Sequence, residues 1–367
     1  MSVKKVAICT GGGDCPGLNA VIRAVVRVGI EHHGWEILGV EDALNGLVDL
    51  DYRSPHGNLW LGLKDVRKIL DRGGTILGTS NRSDPFHFVV KNDDGSEREV
   101  DVSDKVMENF AALGLDALIS IGGDGSMRIG LEFIDKGMNL VGVPKTIDND
   151  LMCTDQTFGF DTAVNIATEA LDRIRDTADS HDRVMLVEVM GRHAGWIALH
   201  AGIAGGADTI LLPEIPYRAS AVAEVIDARR AKGKNYSVIV IAEGARPAGG
   251  HASELAKRIG EMPRLMGAAH RVAVELEELV EADMRVTVLG HIQRGGSPSA
   301  FDRVLATRYG VAAAGLVARR EFGKMVALRG HDIVAVDVRD AVSVPKLVDP
   351  NAQILQHARD VGVCFGE

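Results

Sequence analysis

Short β-branched apolar runs alternate with longer amphipathic stretches along most of this 367-residue chain. Residues 3–10, 36–40, 117–121, 140–143, 184–189, 209–212, 237–242 and 285–289 read as strands. Residues 19–31, 104–113, 161–178, 219–232, 264–281 and 302–320 carry apolar side chains at i, i+3 and i+4 and read as helices. Such alternation calls for an α/β fold with parallel sheets flanked by helices. The length suits two compact lobes better than one. Glycine-rich turns follow several strands, at 11–13, at 122–125 and at Gly191. In open α/β sheets that edge is where ligands bind. No Pro/Ser-rich linker separates the lobes; the expected break is near Gly159, where a long helix begins. KNDDGSER at 91–98 reads as an exposed hairpin tip turning at Asp94-Gly95. ARPAGG at 245–250 reads as a mobile loop.

Composition narrows the partners. The net charge is −10 and aromatic residues make up only 4%, which argues against a nucleic-acid binder with its basic face and stacking rings. Small phosphorylated ligands stay open, because clustered arginines create positive pockets on an acidic protein. Cys9, Cys15, Cys153 and Cys364 are scattered and form no CxxC pair, so buried or inert thiols are expected rather than disulfides or zinc. The N-terminus enters a strand-like run without a signal-peptide pattern, and no window approaches the ~20 apolar residues that span a bilayer. No membrane partner and a cytoplasmic location are expected.

Chemistry concentrates in a few segments. PKTIDND at 144–150 sets Lys145, Thr146, Asp148 and Asp150 directly after an apolar run. Two carboxylates, a hydroxyl and an ammonium so crowded suit phosphoryl transfer. GGGDCPGLN at 11–19 lies between strand and helix, where backbone amides and a helix N-terminus can cradle an anion; a tight structural turn is the alternative. It is neither a Walker A loop nor a good GxGxxG. In IGGDGSMRIG at 121–130, Asp124 stands among Gly122, Gly123 and Gly125, a setting for Mg²⁺ held by one carboxylate plus ligand phosphates. The competing reading makes Asp124 the N-cap of a helix from Ser126. GGDG also occurs in lipid and NAD kinases, so alone it gives a class of donor and no substrate.

Taken in order, GGGDCPGLN, LGTSNR at 77–82, GGDGS, PKTIDND, VEVMGRHAG at 187–195 and LGHIQRGGSPSAFDR at 289–303 resemble the 6-phosphofructokinase family over residues 3–329. The resemblance implies two Rossmann-like lobes with the active site in the cleft between them: residues 1–159 plus about 293–343 for the phosphoryl donor and Mg²⁺, and 160–292 plus about 344–367 for the sugar phosphate. It implies transfer of a phosphoryl group to the 1-hydroxyl of fructose 6-phosphate, a step of glycolysis. Asp148 would be the general base, assisted by Lys145, Thr146 and Arg192. Gly12, Arg82, Gly123, Asp124, Gly125 and Ser126 would hold the donor; Asp124 and Asp150 would hold Mg²⁺. Arg183, Met190, Gly191, Arg192, Glu243, Arg285, His291 and Arg294 would bind the sugar phosphate along with Thr146 and Asp148. Two of these arginines would reach in from a neighbouring subunit, which implies a homodimer or homotetramer.

The donor is the finer question. The resemblance associates pyrophosphate use with Asp at position 125 and Lys at 145, and bacterial ATP use with Gly at both. Gly125 leaves room for the α-phosphate of ATP, and Lys145 can neutralise pyrophosphate without excluding the nucleotide, so ATP is the expected donor and pyrophosphate the alternative. Arg23, Arg27, Arg175, Lys232 and Lys234 match basic effector-binding positions of bacterial relatives, but Asp208 and Tyr236 depart from the pattern. A catalytically silent nucleotide-sensing protein is the remote alternative.

Overall fold

The computed structural model describes residues 3–52, 59–91, 95–252 and 267–367. Its strands are β1 (Lys5–Thr10), β2 (Glu36–Val40), β3 (Leu59–Leu61), β4 (Phe88–Lys91), β5 (Glu97–Val100), β6 (Ala117–Gly122), β7 (Leu140–Thr146), β8 (Phe158–Gly159), β9 (Val184–Val189), β10 (Thr209–Leu211), β11 (Ser237–Ala242), β12 (Met284–Val288), β13 (Lys324–Arg329) and β14 (Asp332–Asp337). One eight-stranded sheet runs β14-β13-β7-β6-β1-β2-β3, with β8 also on β7, and a four-stranded sheet runs β10-β11-β9-β12. The second sheet is parallel throughout. In the first, antiparallel pairing is confined to the edge strands β3 and β14.

Every residue of β6, β7, β9 and β11 is buried, as strands covered by helices on both faces require. The apolar runs are continuous for that reason. The helices Leu18–His33 and Ala300–Ala318, far apart in sequence, pack together over the larger sheet and fill its core with Val21, Val25, Tyr309 and Ala313. Among the described residues no helix is long and apolar enough to cross a membrane.

Most expected elements appear with ends moved by a few residues. The helix expected over 264–281 is described as Ala268–Glu277, and its first residues lie outside the described part, as does Asp94 of the hairpin tip. The hairpin itself is present as β4 and β5, with Lys91 opposite Glu97. β7 does not stop at Val143 but continues through Pro144 to Thr146. Pro144 is tolerated because the β13 ladder ends at Gly142 and leaves no N–H demanded on that side. The loop after Ala245 is tied down rather than free: the Tyr217 N–H donates to the Arg246 carbonyl at 3.0 Å, and the Ala248 N–H to the Tyr217 carbonyl at 2.8 Å.

Sheet order decides where the chemistry gathers. β7, β6 and β1 are neighbours, and their carboxyl ends release the loops of Asp148, Asp124 and Gly12. β11, β9 and β12 are likewise neighbours, releasing Glu243, Arg192 and Arg294.

Candidate active site

The glycine loop after β1 is built for close approach. Gly12 adopts φ 75°, its N–H donates to the Ser80 carbonyl at 3.2 Å, and its carbonyl accepts the Thr79 hydroxyl at 2.5 Å. Ser126 wedges against Gly122, where a Cβ would meet the Ser126 Cβ at 2.2 Å. The helix Asp124–Asp135 starts at Asp124 with Gly123 as its cap, so Asp124 is its first residue and not the N-cap of a helix from Ser126. The Asp124 carboxylate accepts from Arg128 Nε at 2.8 Å. A Cβ at Gly125 would meet nothing within 4 Å, so the space above that position is open. Arg82 lies exposed at the rim of the same loops.

Lys145, only 3% exposed, projects from the end of β7 beneath this cradle and donates to the Gly13 carbonyl. Burial pulls its ammonium below the ordinary lysine range, while the negative charges of Asp14 and Asp148 act the other way. An ammonium held by a carbonyl in so dry a setting is prepared for an anion.

The loop after β7 carries the carboxylates. Asn149 sits at φ 52°, a conformation asparagine tolerates, and its Oδ1 accepts the Thr157 N–H at 3.0 Å. The Thr146 Oγ1 accepts the Asp148 N–H at 3.0 Å. Asp148 Oδ1 and Asp150 Oδ1 are both shut off from solvent without a hydrogen-bond partner in the protein. Burial and then the charge of Asp150 push the Asp148 carboxyl up to about 7, against the pull of Arg294 and Lys145. Asp150 is raised by burial and by Asp124, and lowered by its bond to Thr146 and by His193. Carboxylates that repel one another where water is scarce suit a bound cation and an acceptor hydroxyl. Among the described residues no three or more His, Cys, Asp or Glu are placed so that they could hold a metal ion by themselves.

The smaller sheet faces this loop. Met190 and Gly191 continue from β9, and the Gly191 carbonyl accepts the Gly244 N–H at 3.1 Å. Gly244 admits no side chain, since a Cβ there would stand 2.0 Å from the Arg192 carbonyl. The Glu243 carboxyl is raised by burial and Glu188, and lowered by Arg192 and Arg294. Arg294 ends the 3₁₀ turn Gly290–Arg294 and donates to the Asp14 carbonyl at 3.3 Å, crossing to the larger sheet's glycine loop. His291 is exposed on the same turn. A cavity of about 880 Å³ opens beside Arg192 and Gly244.

Arg183 and Arg285 stand apart from these groups. They precede or begin β9 and β12, at the ends opposite Met190 and His291, and both pair with Asp283, Arg183 Nε at 2.8 Å. A six-residue strand puts ~20 Å between those ends. Two residues that sequence reasoning missed fix the local geometry. Gln293, fully buried, accepts the Met190 N–H at 3.3 Å and donates to the Gly290 carbonyl at 3.0 Å. Asn149 pins the carboxylate loop as described. The IQR run of LGHIQRGG and the middle letter of DND were the signals available.

Glycine-rich loops, a buried ammonium and two carboxylates that each keep one buried oxygen without a partner, released from the carboxyl ends of two mainly parallel sheets, are the parts of a phosphotransferase. The phosphofructokinase family model matches residues 5–317. The ATP-dependent 6-phosphofructokinase 2 of Clostridium perfringens is 48% identical over 369 residues, covering 100% of this chain and 99% of its own. The pyrophosphate–fructose 6-phosphate 1-phosphotransferase of Amycolatopsis methanolica is 52% identical over 351 residues, covering 94% of this chain and 96% of its own. Pichia pastoris phosphofructokinase in the T-state superposes with a TM-score of 0.79 at 33% identity, over 94% of this chain and 36% of the yeast chain. The chain belongs to the phosphofructokinase family.

Proposed function

We propose that the chain transfers a phosphoryl group from MgATP to the 1-hydroxyl of fructose 6-phosphate, giving fructose 1,6-bisphosphate, with Asp148 as general base. The observation that carries this is Asp148 itself: a carboxylate with one buried, unpartnered oxygen and a protonation midpoint near neutrality, facing basic groups from both sheets. Asp148 takes the hydroxyl proton as the oxygen attacks. Thr146, Lys145 and Arg192 offset the charge that spreads over the transferring group. Met190, Gly191 and Glu243 border the sugar; Arg294 and His291 bind its phosphate. Gly12, Arg82, Gly123, Gly125 and Ser126 line the donor. Asp124 and Asp150 would hold Mg²⁺, which supplies charge neutralisation on the donor phosphates.

The donor lobe is assigned to residues 1–159 with about 293–343, and the sugar lobe to 160–292 with about 344–367. Arg183 and Arg285, remote from Asp148 within one chain, suit an acceptor pocket completed by a second subunit in a homodimer or homotetramer. A cytoplasmic location follows from the glycolytic role. Pyrophosphate is the second reading: Lys145 supplies a buried cation for a compact anion, and a relative 52% identical is named for pyrophosphate. Following fructose 1,6-bisphosphate formation with ATP and, separately, with pyrophosphate tests both. Product with ATP at the higher kcat/KM is expected; no product with either would refute the function.

A further inference from the structure

Hydrogen bonds from the loops of both sheets converge on Lys346. Its N–H donates to the Asp150 carbonyl at 2.8 Å, and its ammonium donates to the carbonyls of Thr154 at 2.9 Å and Asp155 at 2.7 Å. Its own carbonyl accepts the Trp196 indole N–H at 2.8 Å, and the ammonium stands 5.5 Å from the centre of that indole. Trp196 opens the helix that follows Arg192. Two residues further on, the Val348 N–H donates at 2.9 Å to Glu214, whose carboxylate also takes the Gly195 N–H at 3.0 Å. Pro345 and Leu347 are exposed, Lys346 is half-buried and Val348 is buried, and these hydrogen bonds lay the segment as a strap across the two loops.

The ammonium's hydrogen bonds go to carbonyl oxygens and thus fix the course of the 150–155 loop. On the other side, the strap grips the first turn of the helix behind Arg192. We propose that Lys346 is a positioning residue for phosphoryl transfer, holding the loop of Asp148 and Asp150 at a set separation from the loop of Arg192. This rests on the function proposed above. Phosphoryl transfer depends mainly on placement, and a shift of ~1 Å can cost ~100-fold in rate.

The test compares K346M, K346R and W196F with the unaltered protein. It measures kcat, KM for fructose 6-phosphate, thermal midpoint, and sugar-phosphate affinity by calorimetry without donor. K346M should lower kcat ~30-fold while the calorimetric affinity stays within ~3-fold, and K346R should recover most of the rate. W196F, which keeps an aromatic ring but deletes the indole N–H together with the five-membered part of the ring, should lower kcat ~5-fold; it decides the matter if K346M does not fold. A folded K346M with kcat within ~3-fold of the unaltered protein would overturn the proposal. So would a loss confined to sugar binding, or W196F with unchanged kcat. Should the unaltered protein itself turn over no fructose 6-phosphate with either donor, the function falls and this inference with it. Normal turnover matched by K346M would sink the positioning role alone.

Discussion

Asp150 presses on Asp148: after burial, its charge is the main influence holding the Asp148 carboxyl at about 7, far above the ordinary value of 3.8. Arg294 and Lys145, which reach Asp148 from different sheets, limit that rise without cancelling it.

A base works only when deprotonated, so the sign of the pH dependence is fixed. Below a midpoint of about 7, Asp148 carries a proton in the free enzyme and cannot accept another. kcat/KM for fructose 6-phosphate should therefore fall about tenfold per pH unit below that midpoint and level off above it. With Arg294→Gln, which removes a charge that lowers Asp148, the limb should move to higher pH. Initial rates between pH 5.5 and 9 check both statements, and a limb moving to lower pH would contradict them.

Donor choice can be altered without disturbing the fold. A side chain at Gly125 meets open space, and an acid in the first turn of a helix suits its N-terminal dipole, so Gly125→Asp should leave the thermal midpoint within ~2 °C. It should raise KM for ATP at least ~10-fold through repulsion of the nucleotide's phosphates. Lys145→Gly should reduce activity with pyrophosphate more than activity with ATP. Steady-state kinetics of both variants with both donors provide the check.

The proposed sharing of the acceptor pocket between subunits predicts complementation. Arg183→Ala and Asp148→Asn subunits should each be weakly active alone, one lacking sugar-phosphate affinity and the other the base. Mixed by reversible dissociation, they should form some sites with Asp148 from one chain and Arg183 from the other. Recovery of roughly a quarter of normal activity is expected from random pairing in a two-site dimer. No recovery in verified hybrids would confine the site to one chain.

The fold was legible wherever a run was apolar enough to be covered on both faces, as with β9 and β11, whose bounds match the sequence reading. The helix Trp196–Ala204 escaped because it is apolar all round and shows no amphipathic period. The β13–β14 hairpin also escaped; its alternation is weak, and only Gly330 marks the turn. In the candidate site, the groups proposed to meet ligand were readable because so crowded a set of charges is hard to account for by structure alone. Gln293 and Lys346 were not, because each acts on a backbone group more than 100 residues away: Gln293 on Met190, 103 residues apart, and Lys346 on Thr154, 192 apart. Residue type gave no hint of those contacts. Arg183 and Arg285 illustrate the reverse, since their separation from Asp148 appears only in three dimensions.

The central claim is that Asp148 removes the acceptor's proton. Asp148→Asn keeps the side chain's shape and removes a buried charge, so the variant should fold and bind fructose 6-phosphate within ~3-fold of normal while kcat drops ~10³-fold. Turnover and calorimetric binding measured on the same preparation give the answer. A variant with near-normal kcat would contradict the account.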